Sequence, residues 1–303
     1  MARRRRGRAV HGILLLDKPA GVTSNAALQR VKRLFDAQKA GHTGSLDPMA
    51  TGLLPICLGE ATKLSAFLLD ADKSYRFTCR LGERTDSGDA DGEVIERRPV
   101  GGIDAAAIER ALATLRGEIE QVPPMHSALK HRGQPLYRYA RRGESVERPA
   151  RRTVIHRLEA LEFDGRDLVL ETDCMKGTYV RALADDLGEA LGCGAHVVAL
   201  RRLATGPFTA TEMVALEAVE AAAAEGPAAL EALLQPIDAA LADWPQLAVS
   251  GELADFLRQG QPVQVPRAPT EGLLRLYRRD GTFLGLGRVQ GDGRVAPKRL
   301  MNL

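Results

Sequence analysis

One stretch constrains this chain more than any other: AGHTGSLDPMATGLLPICLGEATKL, residues 40–64, in which Gly-rich turns and Asp47-Pro48 precede an apolar run. Asp is a good helix N-cap and Pro suits the first helical position, so the LDP triplet alone could begin a helix. The surroundings point elsewhere. Gly41 and Gly44 permit a backbone that brings His42 and Asp47 around the rim of one loop. An N-cap needs neither a neighbouring imidazole nor flanking glycines.

The wording of that loop excludes several chemistries. It lacks the Gly-Lys-Ser/Thr ending of a phosphate-binding loop. Ser45 has no G-x-S-x-G elbow around it. Paired-carboxylate hydrolysis wants a second placed acid, and nothing marks Glu60 or Asp86 for that role. What remains is a single carboxylate acting as nucleophile or base, without metal, on a partner held by arginines.

With 303 residues and 45% hydrophobic content, the chain can bury a main core and a smaller second one. No apolar run is long enough to cross a bilayer. The start, MARRRRGRAVHGILLLDKPAG, has a charged head, but Asp17 and Lys18 cut its apolar segment short. The expected location is the cytoplasm. Cys57, Cys79, Cys174 and Cys193 are scattered and form no C-x-x-C pair, so buried thiols are expected rather than disulfides or a metal site. Net charge is only +3, so any nucleic-acid role rests on local patches. One is Arg3 to Arg6 with Arg8. The other, residues 129–152, interleaves Lys130, Arg132, Arg138, Arg141, Arg142, Arg148, Arg151 and Arg152 with Tyr137 and Tyr139. Guanidinium forks phosphate, and both side-chain types stack on bases, which favours RNA.

Along the chain, residues 11–24 read as a buried strand and a Lys-Pro-x-Gly turn, with Ser24 capping a helix that carries Ala27, Val31, Leu34 and Phe35 on one face. Residues 73–82 alternate Tyr75, Phe77, Cys79 and Leu81 against polar neighbours, a strand pattern. Residues 104–121 read as one amphipathic helix. Two strands flank Asp164-Gly165, a helix opens near Tyr179, and residues 212–243 read as Ala/Glu-rich helix. From residue 246 the texture becomes short strands with Asp-Gly turns. The expected class is α+β with a mixed, mostly antiparallel sheet, divided into domains 1–245 and 246–303.

The motifs GHTGSLDPMATGLLPICLGEATK, LLLDKPAGVTSN, DKSYRFTCRLGERTDSGDADG and CMKGTYVRALADDLGEALGCGAHVVALRRL occur in one order over most of residues 12–203. Together they resemble the bacterial TruB-type tRNA pseudouridine synthases. Ser45 and Met175 depart from the usual Thr or Ala and the expected Ser. The resemblance implies that Asp47 is the catalytic residue, attacking ribose C1′ or uracil C6 or assisting glycal formation, and that Arg181 pairs with it. It implies that Tyr75 lies against the target base and serves in removing the C5 proton, while Tyr179 and Leu200 line the base pocket. His42 would brace the extruded nucleotide or fill the space it leaves. Lys18 and Lys63 would give support or phosphate contacts. No cofactor is implied, because the isomerisation exchanges no electrons. Residues 123–152 match an RNA clamp insertion, and the C-terminal module resembles a PUA-like RNA-binding domain. The implied substrate is uridine 55 in the tRNA T-stem-loop. A monomer is expected, since a tRNA ligand does not require two-fold symmetry, with no membrane and no obligate protein partner. Two other readings compete: a non-catalytic tRNA-binding or folding chaperone, and a guide-RNA-dependent synthase.

Overall fold

The consecutive apolar residues Ile13, Leu14, Leu15 and Leu16 are at most 1% exposed, because strand β1 (Gly12–Lys18) is covered on both faces. Leu14 and Leu16 face one core while Ile13 and Leu15 face another. Each such side chain contributes about 1.5–3 kcal/mol when fully buried. The computed structural model describes residues 7–303; the basic run Arg3 to Arg6 lies outside them. Arg8 is ion-paired with Glu231.

Helix α1 (Ser24–Leu34) follows β1. Its N-cap is Thr23, whose side chain accepts from Ala26 N, and not Ser24 as the sequence suggested. Ser24 is freed for another contact, described below. Short β2 (Ala40–His42) and β3 (Thr51–Leu58) flank the Asp47 loop, and no helix begins at Asp47-Pro48. Helix α2 (Ser65–Asp70) leads into β4 (Lys73–Leu81) and the small hairpin β5 (Glu83–Thr85) and β6 (Val94–Arg97). Helix α3 (Ala105–Thr114) is capped by Asp104. The helix read over residues 104–121 stops there because Gly117 takes φ +83°, and β7 (Gly117–Gln121) then runs as an edge strand.

The basic insertion has structure of its own: strands β8 (Lys130–His131) and β9 (Gln134–Pro135), then helix α4 (Leu136–Ala140). The Arg142 guanidinium lies over the Tyr139 ring, 4.8 Å from its centroid. Next come β10 (Arg151–Phe163), β11 (Asp167–Cys174) and α5 (Val180–Ala190), which match the two expected strands and the helix, and then β12 (Ala195–Thr205), a strand the sequence reading did not assign. Residues 212–243 are not one helix. After β13 (Phe208–Thr209) and β14 (Val214–Ala215), α6 (Leu216–Glu225) ends at Gly226, and Pro227 starts α7 (Pro227–Glu231) in a new direction.

Strands β1 to β4, β7 and β10 to β14 form one sheet whose main path is β14-β1-β3-β12-β4-β11-β10-β7. Only β1–β14 and β12–β3 pair parallel, so the sheet is mixed and mostly antiparallel, as expected. The C-terminal module holds β15 (Gln246–Val249), α8 (Gly251–Arg258), β16 (Leu273–Arg278), β17 (Phe283–Val289) and β18 (Val295–Leu300). Its helix occupies a stretch that the sequence suggested was strand. Leu286 and Met301 join the core that receives Ile13 and Leu15, so module and main sheet pack together. All four cysteines are buried and free. Among the described residues no helix is long and apolar enough to cross a membrane.

Candidate active site

The Asp47 loop is pinned from three sides. The Ser24 hydroxyl accepts from Leu46 N at 2.7 Å and donates to Leu46 O at 3.0 Å. Gly21 N donates to Pro48 O at 2.8 Å. Arg202 Nη2 donates to Gly44 O at 3.2 Å. Gly52, at φ +98°, lets β3 lie against β12: a Cβ there would fall 2.3 Å from Arg202 O. The loop is held rigid by the strands behind it.

Lys18 is 0% exposed and its Nζ donates to Pro19 O at 2.9 Å, to Val22 O and to Pro48 O at 3.3 Å. It supports the turn beneath Asp47 and makes no surface contact. Burial draws its pKa down to about 8, against the pull of the Asp47 charge. Lys18→Met leaves carbonyls without a donor, at about 1–3 kcal/mol each, while relieving the cost of a buried ammonium. The expected net loss is about 2 kcal/mol, read as a lower denaturant midpoint at unchanged slope.

Arg181, in the first turn of α5, is 6% exposed and sits between two carboxylates. Its Nε lies 3.0 Å from Asp47 Oδ2 and its Nη1 lies 3.3 Å from Asp89 Oδ2. Nη1 also donates to Ser87 O at 3.0 Å, and Nη2 to His126 O at 2.7 Å. Asp89 is oriented in turn by the Ser87 hydroxyl at 2.6 Å and by Asp91 N at 3.1 Å. Burial raises the Asp47 pKa, Arg181 opposes that rise, and Asp89 adds to it. Asp47 retains 37% of its side-chain exposure, toward a cavity.

That cavity, about 320 Å³, is lined by the Asp47 loop, Tyr75, Arg181, Leu200, Tyr179 and Ser127, among others. Tyr75 shares a β4 face with Phe77, Cys79 and Leu81 and is the cross-strand partner of Arg202 on β12. Burial pushes the Tyr75 phenol up and Arg202 draws it back, so it is neutral at neutral pH. Arg202 is 1% exposed, and its Nε donates to Leu53 O at 2.6 Å. It ties the Asp47 loop to the Tyr75 strand. Tyr179 is the N-cap of α5; its N–H donates to Gln121 Oε1 at 3.0 Å, and Gln121 Nε2 donates to its carbonyl at 3.3 Å.

Asp47, Tyr75, Tyr179, Arg181 and Leu200 therefore converge. His42, on β2, stands at the loop's entry and does not line the cavity. Its Nδ1 is buried without a partner, and burial lowers its pKa. Lys63 is elsewhere. It pairs with Glu60 at 2.5 Å and donates to Leu300 O at 2.7 Å, joining the main domain to the C-terminal strand. Sequence reasoning missed Asp89, Arg202 and Gln121. Among the described residues no three His, Cys, Asp or Glu side chains converge to hold a metal.

Three family models cover this chain: the TruB family pseudouridylate synthase N-terminal domain over residues 32–180, the tRNA pseudouridylate synthase B C-terminal domain over 181–242, and the pseudouridine synthase II TruB C-terminal model over 245–301. A protein of Nitrosococcus oceani named tRNA pseudouridine synthase B is 55% identical over 99% of this chain and 97% of its own. One of the same name from Ectopseudomonas mendocina is 56% identical over 97% and 96%. A chain from the crystal structure of a Cbf5-Nop10-Gar1 complex shares the fold, at TM-score 0.75 and 24% identity, with 96% of this chain and 85% of that one covered. Fold and sequence together define a pseudouridine synthase, an isomerase. Within that class, the chain belongs to the TruB family.

Proposed function

We propose that this enzyme converts uridine 55 of the tRNA T-loop to pseudouridine, with Asp47 at the reacting centre. The relatives' shared name, tRNA pseudouridine synthase B, supports tRNA as the substrate. The observation that carries the chemical reading is the Asp47–Arg181 pair in the wall of a nucleoside-sized cavity beside Tyr75.

In this reading the uridine leaves its stack and enters the cavity. Flipping costs a few kcal/mol, and stacking on one aromatic ring returns roughly 1–3 kcal/mol, so Tyr75 plus a further aromatic or imidazole contact is the right scale to hold it. The N1–C1′ bond breaks with assistance from ionised Asp47, the uracil turns, and C5 bonds to C1′. The C5 proton then leaves and N1 gains one, so nothing is oxidised or reduced. Asp47 acts at C1′, at C6 or through a glycal. Tyr75, neutral in the free enzyme, lies against the base and passes on the C5 proton only as far as Arg202 favours its phenolate. Tyr179 and Leu200 bound the base, and His42 braces the nucleotide outside its stack. Lys18 serves by holding the loop. Lys63 meets RNA only if its contacts with Glu60 and Leu300 open.

The insertion, residues 123–152, is the RNA clamp, and the 246–303 module a PUA-like RNA-binding domain; the chain acts in the cytoplasm as a monomer. Arg142 pairs with Glu144 and Arg152 reaches Glu120 at 3.7 Å, both at exposed positions where an ion pair is readily exchanged for phosphate. Neutralising Arg141, Arg142, Arg151 and Arg152 together should weaken tRNA binding and reduce the slope of log affinity against log salt by up to about 4. An unchanged slope would remove the clamp from the RNA interface.

The decisive experiment is tritium release from a tRNA transcript labelled at uridine C5. About one release per tRNA, lost when position 55 is changed to cytidine, is the expected result. Binding without release would favour the folding-chaperone reading.

A further inference from the structure

The mechanism above leaves one buried polar group of the cavity unused. Ser127 is 5% exposed, lines the cavity, and its hydroxyl has no hydrogen-bond partner among the described residues. The Tyr179 phenol lies close to it without forming a hydrogen bond, and both residues line the cavity. A buried hydroxyl left unpaired costs free energy, and nearly all such groups in folded proteins are satisfied.

The carbonyls around Ser127, by contrast, are engaged. Its carbonyl accepts from Tyr137 N at 3.1 Å, in the first turn of α4, and Leu136 N donates to Leu129 O at 2.7 Å. One residue earlier, the His126 carbonyl takes Arg181 Nη2. Arg148 Nη1 reaches back to Pro123 O at 3.1 Å. The root of the insertion is thus fixed to its own helix on one side and to the Asp47–Arg181 pair on the other. None of those contacts uses the Ser127 side chain, and alanine at 127 would leave them in place.

We propose that the Ser127 hydroxyl is a recognition group for the flipped nucleotide, hydrogen-bonding its polar edge once the nucleotide fills the cavity. The proposal rests on the pseudouridine-synthase reading above. A uridine offers carbonyl acceptors, an N3–H donor and ribose hydroxyls, and a serine hydroxyl serves as donor or acceptor to any of them. Because Ser127 hangs from the insertion, seating the insertion and reading the nucleotide become one event. A site built to hydrogen-bond its substrate then discriminates against a base that cannot answer.

The test is Ser127→Ala, assayed by single-turnover tritium release from C5-labelled tRNA transcript at saturating enzyme, with thermal melts of both proteins. The expected result is release slowed roughly tenfold, the loss of one hydrogen bond to substrate, with a melting midpoint equal to or above wild type. An unchanged rate overturns the assignment. So does a lowered midpoint that accounts for the slower rate, since that marks a structural role. Wild type in the same assay separates the two levels. Release by wild type with no effect of Ser127→Ala overturns this assignment alone, whereas no release by wild type overturns the function reading with it.

Discussion

Asp47→Asn is expected to lower turnover by roughly 10⁴-fold or more while leaving tRNA binding and folding intact. The amide keeps the volume of the carboxylate but can neither attack nor hold the charge that Arg181 faces. Stability should not fall. In the wild type one guanidinium is shared by two carboxylates, and burial makes ionised Asp47 the costly member. In the variant Arg181 and Asp89 remain as a one-to-one pair. Single-turnover release, tRNA affinity and a thermal melt, measured on one preparation, check all three statements. Activity lost in proportion to affinity would mean that Asp47 holds RNA and does no chemistry.

The Gly-rich loop marked Asp47 by its own local logic, whereas Arg181 was pointed to by the family resemblance, and the structure places the two side chains 3.0 Å apart. Asp89 was not legible. It lies in TDSGDADGE, where Asp86, Asp89 and Asp91 look alike, and only the fold shows which of them meets Arg181. Arg202 was hidden by its neighbour. In the Arg201-Arg202 pair, strand alternation sends Arg201 outward to Asp17 at 2.7 Å and Arg202 into the protein. That signal exists in the sequence only once the strand and its inner face are known. Lys63 differs in the opposite sense: it lies within the motif, but the short helical turn after β3 points it at the C-terminal strand, where it acts as support away from the cavity. Helix ends were misread wherever a glycine changed the chain's direction, at Gly117 and at Gly226. Periodicity reports which faces are apolar, and it does not report where a positive φ stops the pattern.

Replacing Arg181 tests the electrostatics from the other side. In Arg181→Met, Asp47 and Asp89 face each other with no shared cation, and the acceptors Ser87 O and His126 O lose their donor. Breaking a buried pair in this way costs about 3–5 kcal/mol. The pH dependence follows from the direction already present in the wild type. Asp47 has a raised folded pKa, so this group favours the fold at acid pH, and its contribution fades as pH rises from the ordinary carboxylate range through the raised value. Activity runs the other way, because it requires the ionised form. The wild-type acid limb should therefore lie above the ordinary Asp value of 3.8. Without Arg181 it should move higher still, so that turnover at neutral pH falls by roughly 10³-fold and climbs as pH increases. Arg181→Lys keeps the charge but cannot span acceptors on four residues, and should fall between the two. Adding Asp89→Asn to Arg181→Met removes the second unpaired carboxylate. That double variant should recover most of the lost stability, seen in its denaturant midpoint, and little of the lost activity. If instead the acid limb stays at its wild-type position in Arg181→Met, the arginine is a structural clasp and Asp47 is kept ionised by something else.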